Sequence, residues 1–321
     1  MKFSEKTKVL SDISKQFGLG FALKYAYLLK TRQYKRYIDF ISGYLETLYK
    51  DDLAEFDKKH SINDINECNE SVRNVFVCWW QGYESMPVLC KACYKQLQSV
   101  LSDDYNLIFI TKDNYKGYVD IPQYILDKVE KGMIPVTQFS DVLRQGLVAT
   151  NGGIWIDSTI WVNEGINNYI SRIGDFWSVR LPKIYNEMVI GQLISSCRWS
   201  SFIVGGKKGS PVFQLMFDCM CKYYKTHDTA IDYYLQNLLY KMIFEKSEYC
   251  KATLNTVAVS NRYLYDLKNV FNKPFDDKEF GRMNTDTSIF KLTYKVKYKE
   301  INNGNETFYG HIIRSFDKNE S

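Results

Sequence analysis

Through roughly the first 60 residues apolar side chains recur at helical spacing, with no strand-like run among them. The segment KKHSINDINECNESVRN (58–74) is polar and punctuated by Asn and Ser, which reads as a linker. Beyond it the pattern changes. NVFVCWW (74–80) is a short apolar run of the kind that makes a buried strand, QGYESMP follows as a loop, and a helix is expected from Pro87 to about Val100. YNLIFIT (105–111) reads as a second strand closed by the polar turn KDN. Two helical patterns come next, PQYILDKVEKG and VTQFSDVLRQGLVATNGG, the second stopped by Gly152 and Gly153. IWIDSTIWV predicts a third strand and its continuation, and DFWSVRL another. SPVFQLMFDCMCKYYKTH and TAIDYYLQNLLYKMIFEK predict two consecutive amphipathic helices, and short strands and loops are expected after Lys251.

Strands alternating with helices from residue 74 onward predict an α/β fold, a largely parallel sheet with helices on both faces. A helical region with its linker (1–70) would precede the sheet domain (71–321). In such sheets ligands bind beyond the carboxyl ends of the strands. Those ends carry Trp79–Trp80–Gln81–Gly82, Thr111–Lys112–Asp113 and Asp157–Ser158–Thr159, which are therefore expected to converge.

Composition narrows the partners. The net charge of +5 and a pI near 8.5 suit an anionic small ligand or an anionic membrane surface. They fall short of a nucleic-acid footprint, and we read no dense Lys/Arg stripe with interleaved aromatics beyond the first 36 residues. The 25 Tyr and 19 Phe supply stacking platforms for sugars or bases, and equally good core filler. Of the cysteines only Cys90 and Cys93 form a CxxC, with no second pair at zinc spacing, so free thiols in a reducing cytoplasm are expected. The polar N-terminus lacks the apolar core of a signal peptide. FGLGFALKYAYLL (17–29), interrupted by Lys24, is shorter than the ~20 residues of a spanning helix. With Lys24, Lys30, Arg32, Lys35 and Arg36 it reads either as a helix resting on a membrane surface or as one packed on its own domain.

Asp157 is the sharpest chemical signal. A carboxylate ending a greasy strand is costly without compensation, which a divalent cation holding phosphate oxygens would supply. An Asp capping the next turn would explain it as well, and spacing alone leaves both open. Asp141 and Arg144, three apart in SDVLRQGL, project from one face of a helix whose apolar neighbours suggest burial. In VGGKKGSPVF (204–213), Lys207 and Lys208 precede a helix start, which suits a phosphate or a solvated loop.

SDVLRQGLVATNGGIWIDSTIW (140–161) resembles the SDxxRxxxLxxxGGxYxDxD segment of the DXD-motif sugar transferases of glycosyltransferase family 32, most nearly their bacterial capsular-polysaccharide-synthesis branch. VFVCWWQGYESMPVLCKACYKQL (75–97) resembles that branch's opening strand and helix. The resemblance implies a GT-A fold, in which a Rossmann-like nucleotide-binding half joins an acceptor-binding half. It puts Trp79 on the donor base, one of Trp79 and Trp80 being left for core packing, with Gln81 and Ser158 also in the nucleotide-sugar site. Asp141 and Arg144 would hold the transferring sugar, Arg144 also near the diphosphate. Asp157, Arg144 and Asp232 would form the catalytic set, although an acid at a helix start explains Asp232 equally well.

One position departs from the pattern: the second acid of the DXD is Thr159 here, a neutral and weaker metal ligand. Mn²⁺ or Mg²⁺ would then be held by Asp157 with Thr159 or with His311 of YGHIIRSF, an imidazole favouring Mn²⁺, although an ordinary His in a terminal strand explains His311 as well. The activity implied is metal-dependent, retaining hexosyl transfer from a nucleotide sugar, UDP above all, to a lipid-linked or oligosaccharide precursor of a capsular polysaccharide. The site would be cytoplasmic, with the basic N-terminal helices touching the inner membrane face. The alternative is a non-catalytic nucleotide-sugar-binding or scaffold protein of the same fold.

Overall fold

The computed structural model describes residues 3–65, 72–182 and 190–314, with side chains from residue 9 onward. Three helices come first, α1 (Phe3–Phe17), α2 (Leu19–Lys30) and α3 (Tyr34–Lys59). The main body then alternates through β1 (Asn74–Cys78), α4 (Val88–Val100), β2 (Asn106–Ile110), α5 (Gln123–Glu130), α6 (Val136–Asn151) and β3 (Gly153–Ile156). It continues through β4 (Ile160–Val162), α7 (Ile166–Ile170), β5 (Trp177–Ser178), α8 (Ile190–Ser195) and β6 (Ile203–Gly206). Helices α9 (Pro211–Thr226), α10 (Leu235–Lys246), α11 (Glu248–Asn255), α12 (Asp266–Val270) and α13 (Asp277–Asp286) follow. The described residues end with β7 (Ile289–Lys291), the hairpin β8 (Ile301–Asn302) and β9 (Asn305–Glu306), and α14 (Phe308–Arg314). Of the expected linker, α3 takes the first two positions and Ile62–Asp64 forms one turn capped by Ser61. Residues 66–71 of it lie outside the described residues.

Five strands form one mixed sheet in the order β2-β1-β3-β6-β5. β1 runs parallel to β2 and β3, whereas β6 runs antiparallel to both β3 and β5. The sheet is thus parallel on one side only, which corrects the largely parallel expectation. Side chains alternate with a period of two whichever way a strand runs, so the pattern carried no direction. That alternation builds two cores. Val75, Val77, Ile154, Ile156 and Ile203 face one side with Leu97 of α4 and Ile166 and Ile170 of α7. Phe76, Trp155 and Val204 face the other with α6, α9 and α10, so helices cover both faces.

Three expectations on local structure change. The run IWIDSTIWV is two strands: β3 stops at Ile156, and β4 leaves the sheet to pair antiparallel with β7. DFWSVRL contributes only Trp177–Ser178. The C-terminal third holds four helices, α11 to α14, among the described residues. They are short and some are polar, α13 burying Met283 alone, so periodicity had little length in which to show.

The glycine pair before β3 is required twice. Gly152 ends α6 at φ +65°, and a Cβ there would lie 2.5 Å from the Lys208 nitrogen. Gly153, at φ +135°, lets β3 press on β1, where a Cβ would lie 2.5 Å from the Asn74 carbonyl oxygen. This fit fixes the strand that leads into Asp157.

The N-terminal helices share the core of the sheet body. In α3, Tyr37, Ile41, Leu45, Tyr49, Leu53 and Phe56 bury as one stripe against the same cluster as α9 and α10. The Tyr49 hydroxyl donates to the Cys219 carbonyl at 2.6 Å, and Asp52 and Glu46 pair with Lys222 and Lys246 at 2.5 and 3.0 Å. The α1 end is tied down by Gln16, whose amide bonds both the Thr229 carbonyl and the Asp228 and Thr229 N–H groups.

Candidate active site

β1 and β3 lie side by side and parallel, so their carboxyl ends deliver Trp79–Gln81 and Asp157–Thr159 to one place. A cleft of about 810 Å³ opens there. The third expected contributor does not reach it: Thr111, Lys112 and Asp113 are not among its lining residues. They turn on themselves instead, the Thr111 N–H donating to Asn114 Oδ1 at 2.8 Å. The N-terminal half of α6 supplies that wall.

Asp141 and Arg144 lie on one face of α6, where the surrounding apolar residues bury Arg144 and leave Asp141 half-buried on the cleft wall. Arg144 is only 6% exposed. Its Nη2 sits 3.0 Å from Asp141 and 3.6 Å from Asp157. Nη1 donates to the Ser201 carbonyl, Nε donates to the Ser140 carbonyl at 3.2 Å, and the guanidinium lies 5.1 Å from the Trp155 ring centre. Held at every donor edge, this is no floppy surface ion pair.

Asp157 accepts from the Trp155 indole N–H at 2.9 Å on Oδ1 and from the Lys291 ammonium at 2.8 Å on Oδ2. Lys291 also donates to Thr159 Oγ1 at 2.8 Å. Its place follows from strand pairing. β7 lies antiparallel to β4 with Lys291 opposite Ile160, the Lys291 N–H donating to the Leu264 carbonyl and the Leu292 N–H to the Thr159 carbonyl. The outcome is an alternating series, Asp141, Arg144, Asp157, Lys291, closed by the Thr159 hydroxyl. Burial alone would raise Asp157, but Lys291 and Arg144 outweigh it and hold the carboxyl below its ordinary value. Asp141 has one cation and a neighbouring acid. Burial pushes it up to about 7, Arg144 opposing and Asp157 adding to the rise.

The donor set does not fit a divalent cation. Asp157 is a lone carboxylate with both oxygens engaged, and Thr159 offers a neutral oxygen already accepting from Lys291. Among the described residues no three His, Cys, Asp or Glu side chains group as a metal site. His311 is not brought in: it lies in α14, stacked on Phe275 at 3.6 Å and 3.8 Å from Glu306. Asp157, Thr159 and His311 are therefore not brought together, because α14 packs against α4 in a separate apolar cluster.

Asp232 also turns elsewhere. It precedes α10 rather than opening it, accepts from the Tyr37 hydroxyl of α3, and caps the Tyr234 N–H at 2.7 Å. Burial raises its pKa, with the Tyr37 hydrogen bond opposing, and it is not among the residues lining the cleft. Its observed partners make it a tie between α3 and the main body. Trp79 and Trp80 both line the cleft, and Trp80 also packs into the core. Trp80 packs on Phe139 and Tyr115 at 5.0 and 5.2 Å. Trp79 is half-buried on the cleft wall, its indole N–H donating to Ser85 and its ring edge-on to Tyr294 at 5.7 Å. Gln81 and Ser158 line the cleft as well. Lys207 does not. It pairs with the buried Asp175 at 2.9 Å.

Sequence reasoning missed Lys291, Lys268, Lys295 and Tyr294, all on the cleft wall. The signal for Lys291, Tyr294 and Lys295 was KLTYKVKYK (291–299), a basic stretch with interleaved tyrosines beyond residue 36, contrary to the reading above, whereas Lys268 lies outside it. Also missed were Gln192 and Gln236, which line the cleft at 7% and 1% exposure. Neither amide has a hydrogen-bond partner among the described residues. A family model described as capsular polysaccharide synthesis protein matches residues 24–312, from within α2 to α14. No curated protein and no solved structure matches the chain.

Proposed function

The chain belongs to the capsular polysaccharide synthesis protein family, and from that premise we propose that its cleft transfers a hexose from a nucleotide sugar to a capsular or exopolysaccharide precursor. The observation that carries this reading is the charge of the cleft. Arg144, Lys268, Lys291 and Lys295 line it against Asp141 and Asp157, four cations to two acids. Such a surplus suits a diphosphate, and the cleft lies where α/β sheets hold nucleotides. In this reading the sheet is the Rossmann-like half of a GT-A fold.

Each residue then has a physical task. Trp79, with Tyr294 beside it, offers a platform for a base, and UDP is the nucleotide we assign. Gln192 and Gln236 take the sugar hydroxyls, since a buried amide left unpaired costs about 1–3 kcal/mol that a bound hydroxyl relieves. Asp141, up to about pH 7, carries a proton and can donate to a hydroxyl oxygen, whereas Asp157 stays ionised and accepts. As the glycosidic bond breaks, positive charge develops at the sugar and negative charge on the departing diphosphate. Asp157 faces the first charge and Arg144 the second. The resemblance to family 32 transferases favours retention of configuration.

A lipid-linked acceptor fits the N-terminal helices, where Tyr37 of α3 meets Asp232 just before the cleft-lining Tyr233 and Tyr234. Leu19, Leu23 and Tyr27 repeat every four residues along α2, at 66, 63 and 59% exposure. Between residues 9 and 40 they are accompanied by Lys15, Lys24, Lys30, Arg32, Lys35 and Arg36 against Asp12 and Asp39. This is the composition of a helix lying on an anionic surface. Among the described residues no helix is long and apolar enough to cross a membrane. Because α3 belongs to the core, deleting the helices would unfold the body. The clean test is Leu19→Glu with Leu23→Glu, expected to release the chain from phosphatidylglycerol vesicles, and unchanged binding would refute the contact.

A second reading, a non-catalytic nucleotide-sugar-binding protein, is favoured by Thr159 in place of an acid. Thermal stabilisation by a panel of nucleotide sugars, run beside donor hydrolysis, separates the two. Stabilisation with turnover marks the transferase, stabilisation alone the binding protein, and neither removes both.

A further inference from the structure

We propose that the Lys291 ammonium occupies the place of a divalent cation beside Asp157, so that sugar transfer in this cleft proceeds without a metal. This rests on the transferase reading and adds to it the identity of the countercharge.

The geometry supports it at three levels. The Lys291 nitrogen lies 2.8 Å from Asp157 Oδ2 and 2.8 Å from Thr159 Oγ1, bridging the two ends of the D-S-T turn. A metal holding the same oxygens at about 2.1 Å would have to displace it. Backbone pairing of β7 with β4 fixes the lysine at its root, and its ammonium also lies 4.6 Å from the Phe202 ring centre. The charges agree as well. Arg144 and Lys291 already flank Asp157 and balance Asp141 as well once it ionises above about pH 7, and Lys268 stands close enough to Lys291 to feel it. A dication added here would meet three cations.

Thr159 fits this arrangement better than an acid would. A second carboxylate would bind the ammonium more tightly and neutralise it, whereas a hydroxyl positions it and leaves its charge for phosphate. In the transfer step the bond from the sugar C1 to the β-phosphate oxygen breaks and the electron pair stays on that oxygen. The acceptor oxygen bonds C1, and its proton leaves with the diphosphate. Lys291 donates a hydrogen bond to the oxygen on which that charge collects.

Three measurements on the full-length chain test this. Mn²⁺ titrated into the protein alone and followed by electron paramagnetic resonance should show no saturable site. One Mn²⁺ bound and lost in Asp157→Asn would overturn the proposal. Turnover of the UDP-sugar donor should be equal in EDTA and in Mn²⁺, and loss of turnover in EDTA would overturn it too. Lys291→Ala should lower turnover and UDP-induced thermal stabilisation, the turnover by about 10- to 100-fold, the scale of one charged hydrogen bond. Lys291→Arg, which keeps the charge if the alanine variant folds poorly, should retain part of the rate. Wild-type rates in Lys291→Ala would contradict the assignment. If no nucleotide sugar is turned over at all, the transferase reading fails by itself. Mn²⁺ binding and the Lys291 dependence of UDP stabilisation in EDTA would still decide what fills the cation position.

Discussion

Replacing Arg144 by Met should cost stability in a way that depends on pH. The guanidinium is nearly buried, touches Asp141 at 3.0 Å and Asp157 at 3.6 Å, and bonds the Ser201 carbonyl. Asp157 keeps Lys291 after the change, but Asp141 loses the one cation paired with it among the described residues. At pH 8 Asp141 is ionised in the wild type, its pKa being about 7. Stripping the partner from such a buried charge costs about 3–5 kcal/mol. At pH 5.5 Asp141 is protonated with or without Arg144, so the loss shrinks to about 1–2 kcal/mol for the hydrogen bonds and packing given up. Urea unfolding of both proteins at the two pH values reads the difference directly. An equal loss at both, or a larger one at pH 5.5, would refute the proposed coupling of Asp141 to Arg144. Asp141→Asn in the same background should erase the pH difference.

Other consequences follow from the same contacts. Folded Asp141 holds its proton to about pH 7, while an unfolded Asp releases it at about pH 4, so the folded state binds more protons between these values. Stability from this group is full below about pH 4 and is lost as pH rises to about 7, and Asp141→Asn should remove that slope from a melting series. Trp79→Ala should weaken UDP binding by about 1–3 kcal/mol in calorimetry, whereas Trp80→Ala, which also gives up Phe139 and Tyr115, should lower the melting temperature more than Trp79→Ala does. Asp232→Asn should cost about 1–2 kcal/mol of stability and open the α3 contact to limited proteolysis. Its donor turnover should stay near wild type, and a large loss would put Asp232 back among the reacting groups.

What could be read from the chain depended on how local each feature was. The helix ended by Gly152–Gly153 and the strand that leads into Asp157 follow from neighbours in sequence, as does the shared face of Asp141 and Arg144. Sheet direction did not, since β6 carries the same alternation either way and takes its direction from the connections. Nor did the partner of Asp157. Lys291 is 134 residues away and arrives only through β4–β7 pairing, although KLTYKVKYK was visible as a basic aromatic stretch. His311 and Asp232 show the converse error. Residue type and neighbourhood suited a ligand and a catalytic acid, but one side chain stacks on Phe275 and the other meets Tyr37.

The transfer reaction itself is tested most directly by donor turnover. Purified chain should hydrolyse a UDP-hexose slowly without acceptor and faster with a lipid-linked saccharide. Asp157→Asn, which keeps the shape of the side chain and removes its charge, should lower both rates by about 100-fold or more while the protein still melts cooperatively. If no nucleotide sugar is consumed, or Asp157→Asn consumes it at the wild-type rate, the cleft at the end of β3 is not a glycosyl-transfer site.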